Sequence, residues 1–128
     1  AALLGFLIYN KYPARIFPGD SLTWAIGALI AGMAILGNFE KIALFVFIPY
    51  IIEMVLKLRG KLEKQSFGKP NKKGYLDVPY SKIYGLEHLA IYVLKRIKPS
   101  KKVYEKDVVY LLHGFQIFII LLACLIFL

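Results

Sequence analysis

The sequence predicts an all-α membrane protein. The expected form is a polytopic transmembrane helical bundle with one truncated and three full spans, plus a basic loop holding an amphipathic helix. Three observations carry this. Hydrophobic residues fill 59% of the 128 positions, against about 45–50% apolar in soluble domains, and the mean hydropathy is +0.60. These residues come in blocks, as membrane spans do. The cations are also grouped: fourteen of the 17 Lys and Arg lie between Lys57 and Lys106.

The chain opens inside an apolar run, Ala1 to Tyr9, which is too short to cross about 30 Å of hydrocarbon. We read it as the end of a helix begun upstream, so the sequence is expected to be the C-terminal part of a larger membrane domain that takes in all of 1–128. A signal peptide fits poorly, because no basic stretch precedes the run and no small-residue cleavage site follows it. Residues 10–20 form a polar loop. Residues 21–37 form the first full span, and its Ala and Gly content (Ala25, Gly27, Ala28, Ala31, Gly32, Ala34, Gly37) suits close helix approach inside a bundle. After the turn Asn38–Lys41, residues 42–56 form the second span, where Pro49 is expected to introduce a kink.

Residues 57–107 form the basic loop. Gly68 to Gly74 reads as a turn, and Tyr75 to Tyr80 as a short extended piece. Ile83, Leu86, Ala90, Val93, Leu94 and Ile97 recur at helical spacing, which predicts an amphipathic helix of about four turns ended by Pro99 and lying on the membrane surface. Residues 108–128 form the last span. The single cysteine, Cys124, falls there and cannot close an internal disulfide.

Charge sets the expected orientation. The 10–20 loop and the 57–107 loop lie on one side, and the positive-inside rule makes that side cytoplasmic. The Asn38–Lys41 turn and the C-terminus then lie outside. The net charge of +9 fits attraction to anionic lipid headgroups, or part of a nucleotide-diphosphate site. Nothing resembles a groove-reading or base-stacking module, which argues against nucleic acid as a partner. No Cys/His cluster, glycine-rich phosphate loop or nucleophile elbow is present.

The loop Asn10-Lys11-Tyr12-Pro13-Ala14-Arg15-Ile16-Phe17-Pro18-Gly19-Asp20 holds the candidate chemistry. A carboxylate at the mouth of a membrane helix is costly to desolvate and needs water, a cation or a partner charge. Asp20 therefore reads either as a first-turn acid stabilised by the helix dipole or as a metal ligand. Phe17 reads as an interface aromatic or a stacking platform for a nucleobase. Asn10 reads as a helix cap or a ligand contact. Pro13, Pro18 and Gly19 would stiffen and tighten the loop. Elsewhere, Glu53 and Lys57 have the spacing of a helical ion pair. His113 and Gln116 are expected to hydrogen-bond neighbouring helices, and His88, beside Glu87, to sit at the surface.

The pattern Asn-x-x-Pro-Ala-x-x-Phe-x-Gly-Asp over Asn10–Asp20 resembles the signature of the polyprenyl-phosphate N-acetylhexosamine-1-phosphate transferases. Ala34–Pro49 and Lys72–Lys82 resemble the archaeal and eukaryotic branch, which acts on dolichyl phosphate, so the likeness extends over nearly the whole chain. It implies that Asp20 is a catalytic ligand of Mg²⁺, with Mn²⁺ as the alternative ion. It also implies that Phe17 stacks on the uracil of a UDP-sugar and that Asn10 helps bind the nucleotide. The implied reaction moves N-acetylglucosamine 1-phosphate from UDP-N-acetylglucosamine to a polyprenyl phosphate and releases UMP. The implied setting is an archaeal plasma membrane, or the endoplasmic reticulum in a eukaryote, with the active site facing the cytoplasm; a homodimer is compatible with this. Lys64-Gln65-Ser66-Phe67-Gly68 replaces the His-rich or Arg-His-Arg cluster of the family, leaving Lys64 and Lys69 as the candidate phosphate contacts. The family's paired aspartates lie outside this sequence, so the 128 residues are not expected to catalyse alone. The competing reading is a non-enzymatic membrane subunit that binds lipid headgroups or a partner through the basic loop.

Overall fold

A computed structural model describes residues 2–127. Six helices and one two-stranded hairpin follow in the order α1 (Ala2–Asn10), α2 (Asp20–Leu36), α3 (Glu40–Val46), α4 (Ile48–Arg59), β1 (Lys69–Pro70), β2 (Leu76–Asp77), α5 (Leu86–Ile97) and α6 (Glu105–Phe127). The all-α expectation thus needs one amendment, the short antiparallel hairpin that pairs Lys69 with Asp77 and Pro70 with Leu76. The chain divides into two compact units, Ala1–Leu44 and Phe45–Leu128.

In the first unit, α2 is a 17-residue apolar helix. It ends at Gly37 because Asn38 turns left-handed, with φ 54°. The Gly37 N–H returns to Met33 C=O at 2.9 Å, and the Phe39 N–H to Ala34 C=O at 3.0 Å. These bonds satisfy carbonyls that a helix end leaves unpaired.

The stretch expected as one span over 42–56 is divided. Pro49 has no N–H to give to Phe45, and its ring crowds that carbonyl. The helix therefore stops at Val46, and α4 restarts at Ile48 with Pro49 in its first turn. In the second unit, α6 passes this break: Gln116 Nε2 donates to the Val46 carbonyl at 3.1 Å. Phe45 also meets Phe127 edge-on, with ring centroids 5.7 Å apart. Among the described residues, α6 is the one helix long and apolar enough to cross a membrane.

The core of the second unit lies between α5, the hairpin and the start of α6. Ala90, Ile91, Val103 and Val108 are buried together, with Leu76, Val78, Leu94, Leu111 and Leu112 against them. The Leu76 N–H donates to Val103 C=O at 2.8 Å, which ties the hairpin to the strand-like approach to α6. Lys95 pairs with Asp77, and Lys98 with Asp107 at 2.6 Å, so the C-terminal end of α5 is tied by charge to the hairpin and to α6.

Two expectations about α5 change. It begins at Leu86 rather than Ile83, because Gly85 is extended (φ −168°) and lies so close to the 62–67 loop that a Cβ would sit 2.8 Å from Ser66 Cβ. His88 is not at the surface: it is fully buried. It shares a helix face with Ile91 and Lys95, and Lys95 pairs with Asp77 of the hairpin.

Candidate functional site

The Asn10–Asp20 loop joins α1 to α2, and Asn10 is the last residue of α1. Its side-chain Nδ2 donates to Ile16 C=O at 2.9 Å. The Arg15 N–H reaches back to Tyr9 C=O at 2.8 Å. The loop is thus folded onto the end of α1 by its own hydrogen bonds, and it contains a cis Tyr12–Pro13 peptide. Asn10 contributes as a brace here, in place of the helix-cap role considered above.

Gly19 is the N-cap of α2 in extended conformation and supplies no side-chain cap. Asp20 is the first helical residue and is exposed. Thr23 Oγ1 donates to the Asp20 carbonyl oxygen at 3.0 Å, leaving the carboxylate uninvolved. None of the ion pairs among the described residues includes Asp20. Phe17 presents its ring outward at 76% exposure. The loop therefore offers a free carboxylate and an open aromatic face, three residues apart, on a braced backbone.

Asp20 can give a cation one carboxylate. Among the described residues no three His, Cys, Asp or Glu side chains gather as a metal site. That donor set suits Mg²⁺, which is commonly held by one or two carboxylates, retained waters and substrate phosphates.

The second unit has a cavity of about 600 Å³ between α4, α6 and the loop after α4. Pro49, Leu112 and Phe115 give it apolar walls, while Glu53, Lys57, Lys64, Ser66, His113 and Gln116 supply polar groups. Ser66 Oγ is buried and makes no hydrogen bond, an unpaired group of the kind a bound polar molecule or water satisfies. Lys64 stands at this cavity with its Nζ 5.4 Å from the Tyr80 ring centre. Lys69, by contrast, is exposed in β1 and does not line the cavity, so the two candidate phosphate contacts are not brought together.

The frame of the cavity rests on residues that sequence reasoning undervalued. Glu53 pairs with Lys57 at 3.5 Å, as its spacing predicts, but its other oxygen accepts the Leu86 N–H at 2.6 Å. His88 Nδ1 accepts the Tyr84 N–H at 3.3 Å. The ring proton is therefore on Nε2, which donates to Phe67 C=O at 3.3 Å. Both links join segments distant in sequence, and periodicity has no signal for them. Glu87 accepts the Gly68 N–H at 3.4 Å. Burial pushes its carboxyl above the usual range, opposed by that hydrogen bond. On the hairpin, the Lys95 ammonium holds the Asp77 carboxyl below its usual range.

Residues 1–38 match the model of glycosyl transferase family 4. A relative from Sulfolobus acidocaldarius, provisionally named a UDP-N-acetylglucosamine–dolichyl-phosphate N-acetylglucosaminephosphotransferase, is 37% identical over 96% of this chain and 35% of its own length. One of the same name from Saccharolobus solfataricus is 47% identical over 59% of this chain and 23% of its own. A phospho-N-acetylmuramoyl-pentapeptide-transferase from Carboxydothermus hydrogenoformans is 39% identical over 52% of this chain and 21% of its own. The chain thus spans about a third or less of the length of these curated relatives. No solved structure matches it. The matched family segment holds the complete Asn10–Asp20 loop and the helix it opens, and with a relative aligned along almost all of its residues the chain belongs to glycosyl transferase family 4.

Proposed function

We propose that this chain forms part of a membrane transferase that moves N-acetylglucosamine 1-phosphate from UDP-N-acetylglucosamine to a polyprenyl phosphate of the dolichyl type, releasing UMP. The observation that carries the proposal is the braced Asn10–Asp20 loop, inside the family match, with Phe17 and the Asp20 carboxylate both open to a ligand. The archaeal type is supported by the extent of the Sulfolobus match, 96% of the chain against 52% for the bacterial relative.

In this reading a phosphate oxygen of the lipid attacks the sugar-bearing phosphorus of the nucleotide sugar. The bond from that phosphorus to the bridging oxygen breaks, and UMP leaves with the electron pair. Phe17 binds the uracil by stacking, a contact worth about 1–3 kcal/mol per base. Asn10 fixes the loop that presents Phe17. Asp20 would hold Mg²⁺, with Mn²⁺ as the alternative, and the ion would supply neutralisation of the phosphate charge. Lys64, beside the cavity, adds a mobile positive charge for a phosphate, and Lys69 a more distant one. The membrane topology that goes with this reading has α2, the broken α3–α4 pair and α6 as spans, the two loops on the cytoplasmic side and the C-terminus outside.

The test is Asp20→Asn in the full-length protein in native membranes, measuring UMP released from UDP-N-acetylglucosamine in the presence of polyprenyl phosphate. Loss of one metal ligand is expected to lower the rate by about 100-fold or more, equivalent to about 2.7 kcal/mol of barrier. Retained activity would sink the metal role of Asp20. A wild-type protein that releases no UMP under these conditions would sink the substrate assignment.

A further inference from the structure

The helix α5 has two apolar faces, and among the described residues only one of them is covered. The inner face, with Ala90, Ile91 and Leu94, packs against Val103 and the first turns of α6. The outer face holds Leu89, Tyr92, Val93, Arg96 and Ile97 at spacings of three and four residues, a continuous stripe on a helix. Tyr92 is 53% exposed and Ile97 69% exposed. Arg96 leans toward Tyr92, with its guanidinium carbon 6.0 Å from the ring centre. Exposed Leu89, Tyr92, Arg96 and Ile97 around a half-buried Val93 are a costly row to face water.

The position of the stripe points to its occupant. The inner face of α5 meets Val108, Leu111 and Leu112, which begin the apolar run of the membrane-length helix α6. If α6 spans a bilayer, α5 lies at the depth where hydrocarbon gives way to headgroups. The surrounding segment carries fourteen cations and four acids between residues 57 and 106, and Lys98, Lys101 and Lys102 follow α5 directly. Each such cation near an anionic surface contributes attraction that decays within a Debye length.

We propose that the outer stripe of α5 is a lipid-contact surface seated in the headgroup layer of an anionic bilayer, the one α6 crosses. Leu89, Val93 and Ile97 enter the acyl boundary, Tyr92 takes the interface level, and Arg96 and Lys101 meet lipid phosphates, while Lys98 stays on Asp107 and Lys102 beside the Tyr75 ring. The hairpin, on the opposite side of α5, is held away from the membrane with its Asn71–Gly74 turn in water. The proposal rests on α6 spanning a membrane and is independent of which sugar or lipid the transferase uses.

The test places an environment-sensitive fluorophore on single cysteines of the full-length protein, with Cys124→Ser and any other native cysteines replaced. Sites are Ile97→Cys on the stripe, Asn71→Cys on the hairpin turn and Leu121→Cys on α6, in vesicles of phosphatidylglycerol and phosphatidylcholine. Nitroxide lipids report lipid contact and aqueous iodide reports water contact. The expected result is blue-shifted emission at 97 with quenching by headgroup-proximal nitroxide, quenching by iodide alone at 71, and quenching by deep nitroxide at 121. Adding Arg96→Glu should red-shift the label at 97, and replacing phosphatidylglycerol by phosphatidylcholine should do the same. Iodide quenching at 97 equal to that at 71 would make the stripe a solvated face and overturn the proposal. Protection at 97 from both quenchers would mean that protein covers it, and would overturn it equally. Absence of lipid quenching at 121 would remove the membrane-spanning premise itself, a failure distinguishable from the other two.

Discussion

Glu53 of α4 caps α5 from 33 residues away, accepting the backbone N–H of Leu86 at 2.6 Å. The N-cap position of α5 is Gly85, which has no side chain to do this. A carboxylate at that end also meets the positive pole of the helix. The cap fixes the start of α5 and so shapes one wall of the cavity, which Glu53, Leu86 and Glu87 all line. Glu53 thus acts as structure beside the candidate site, while its contact with Lys57 is a partly exposed pair of small value.

Glu53→Ala is therefore expected to expose the Leu86 amide and destabilise the local fold by about 1–2 kcal/mol. Glu53→Gln keeps an acceptor oxygen and should cost less. Hydrogen exchange at the Leu86 amide, followed in detergent, reads this directly. Equal protection in the wild type and Glu53→Ala would mean that the cap contributes nothing.

His88 is the second long-range link, from α5 to the Phe67 carbonyl and the Tyr84 amide. Replacing it by Phe preserves bulk but leaves a part-buried N–H and a part-buried C=O without their partner. Each such loss costs about 1–3 kcal/mol. The 60–85 segment of His88→Phe should become a preferred site of proteolysis, with α6 unaffected. An unchanged cleavage pattern would show that water replaces both contacts without loss.

The pH behaviour of Glu87 has the opposite sign to that of a paired surface carboxylate. Burial raises its folded pKa above 4.5, so the folded state binds the proton more tightly than the unfolded state. Its stabilising contribution is fully present below the unfolded value and is lost as pH rises through the folded one. Glu87→Gln keeps an acceptor for the Gly68 N–H while removing the charge. Stability of the variant should be flatter between about pH 4 and neutrality, and equal to or above wild type at pH 7. Asp77 runs the other way: its pKa is lowered by Lys95, so its contribution is present above the unfolded value and disappears as pH falls through the folded one. Both carboxylates are outside the apolar helices α2 and α6, and the Asp77 effect is small because the pair is well exposed. Thermal unfolding of Glu87→Gln that tracks wild type across this range would remove Glu87 as the source.

The helices were legible because hydrophobic blocks, Pro49 and the glycines carry local information. The Asn10–Asp20 loop was legible because its residues form one contiguous pattern. What remained hidden was tertiary. The extended piece over 75–80 was legible and contains β2, but its pairing with Lys69–Pro70 was not, because two residues per strand are too few for an alternation signal. The inward turn of His88 depends on which side of α5 meets α6, and α5 has apolar residues on both sides. For the same reason the apolar positions that the sequence groups as one stripe divide into a buried face with Ala90 and an exposed one with Ile97. Ser66 is a small polar residue in a basic loop, with nothing in its neighbours to announce a buried hydroxyl beside a cavity.

Gly68 offers a test of how tightly this loop is built. A Cβ there would sit 2.6 Å from Ile91 Cδ1 and 3.4 Å from Leu76 Cβ. Ile91 is fully buried and cannot swing into solvent, so the backbone of the 66–69 segment would have to move instead. Gly68→Ala is expected to destabilise by about 1–3 kcal/mol through overpacking. The cause lies in one methyl group, so the cure should too. Ile91→Val deletes Cδ1, and alone it costs about 0.5–1.5 kcal/mol as a cavity. The double variant Gly68→Ala/Ile91→Val should then be more stable than the sum of the two single losses, because the added methyl fills the vacated space. Thermal unfolding of all four proteins closes the cycle. Strict additivity would mean that Gly68 is required by the path of the backbone and not by the Ile91 side chain.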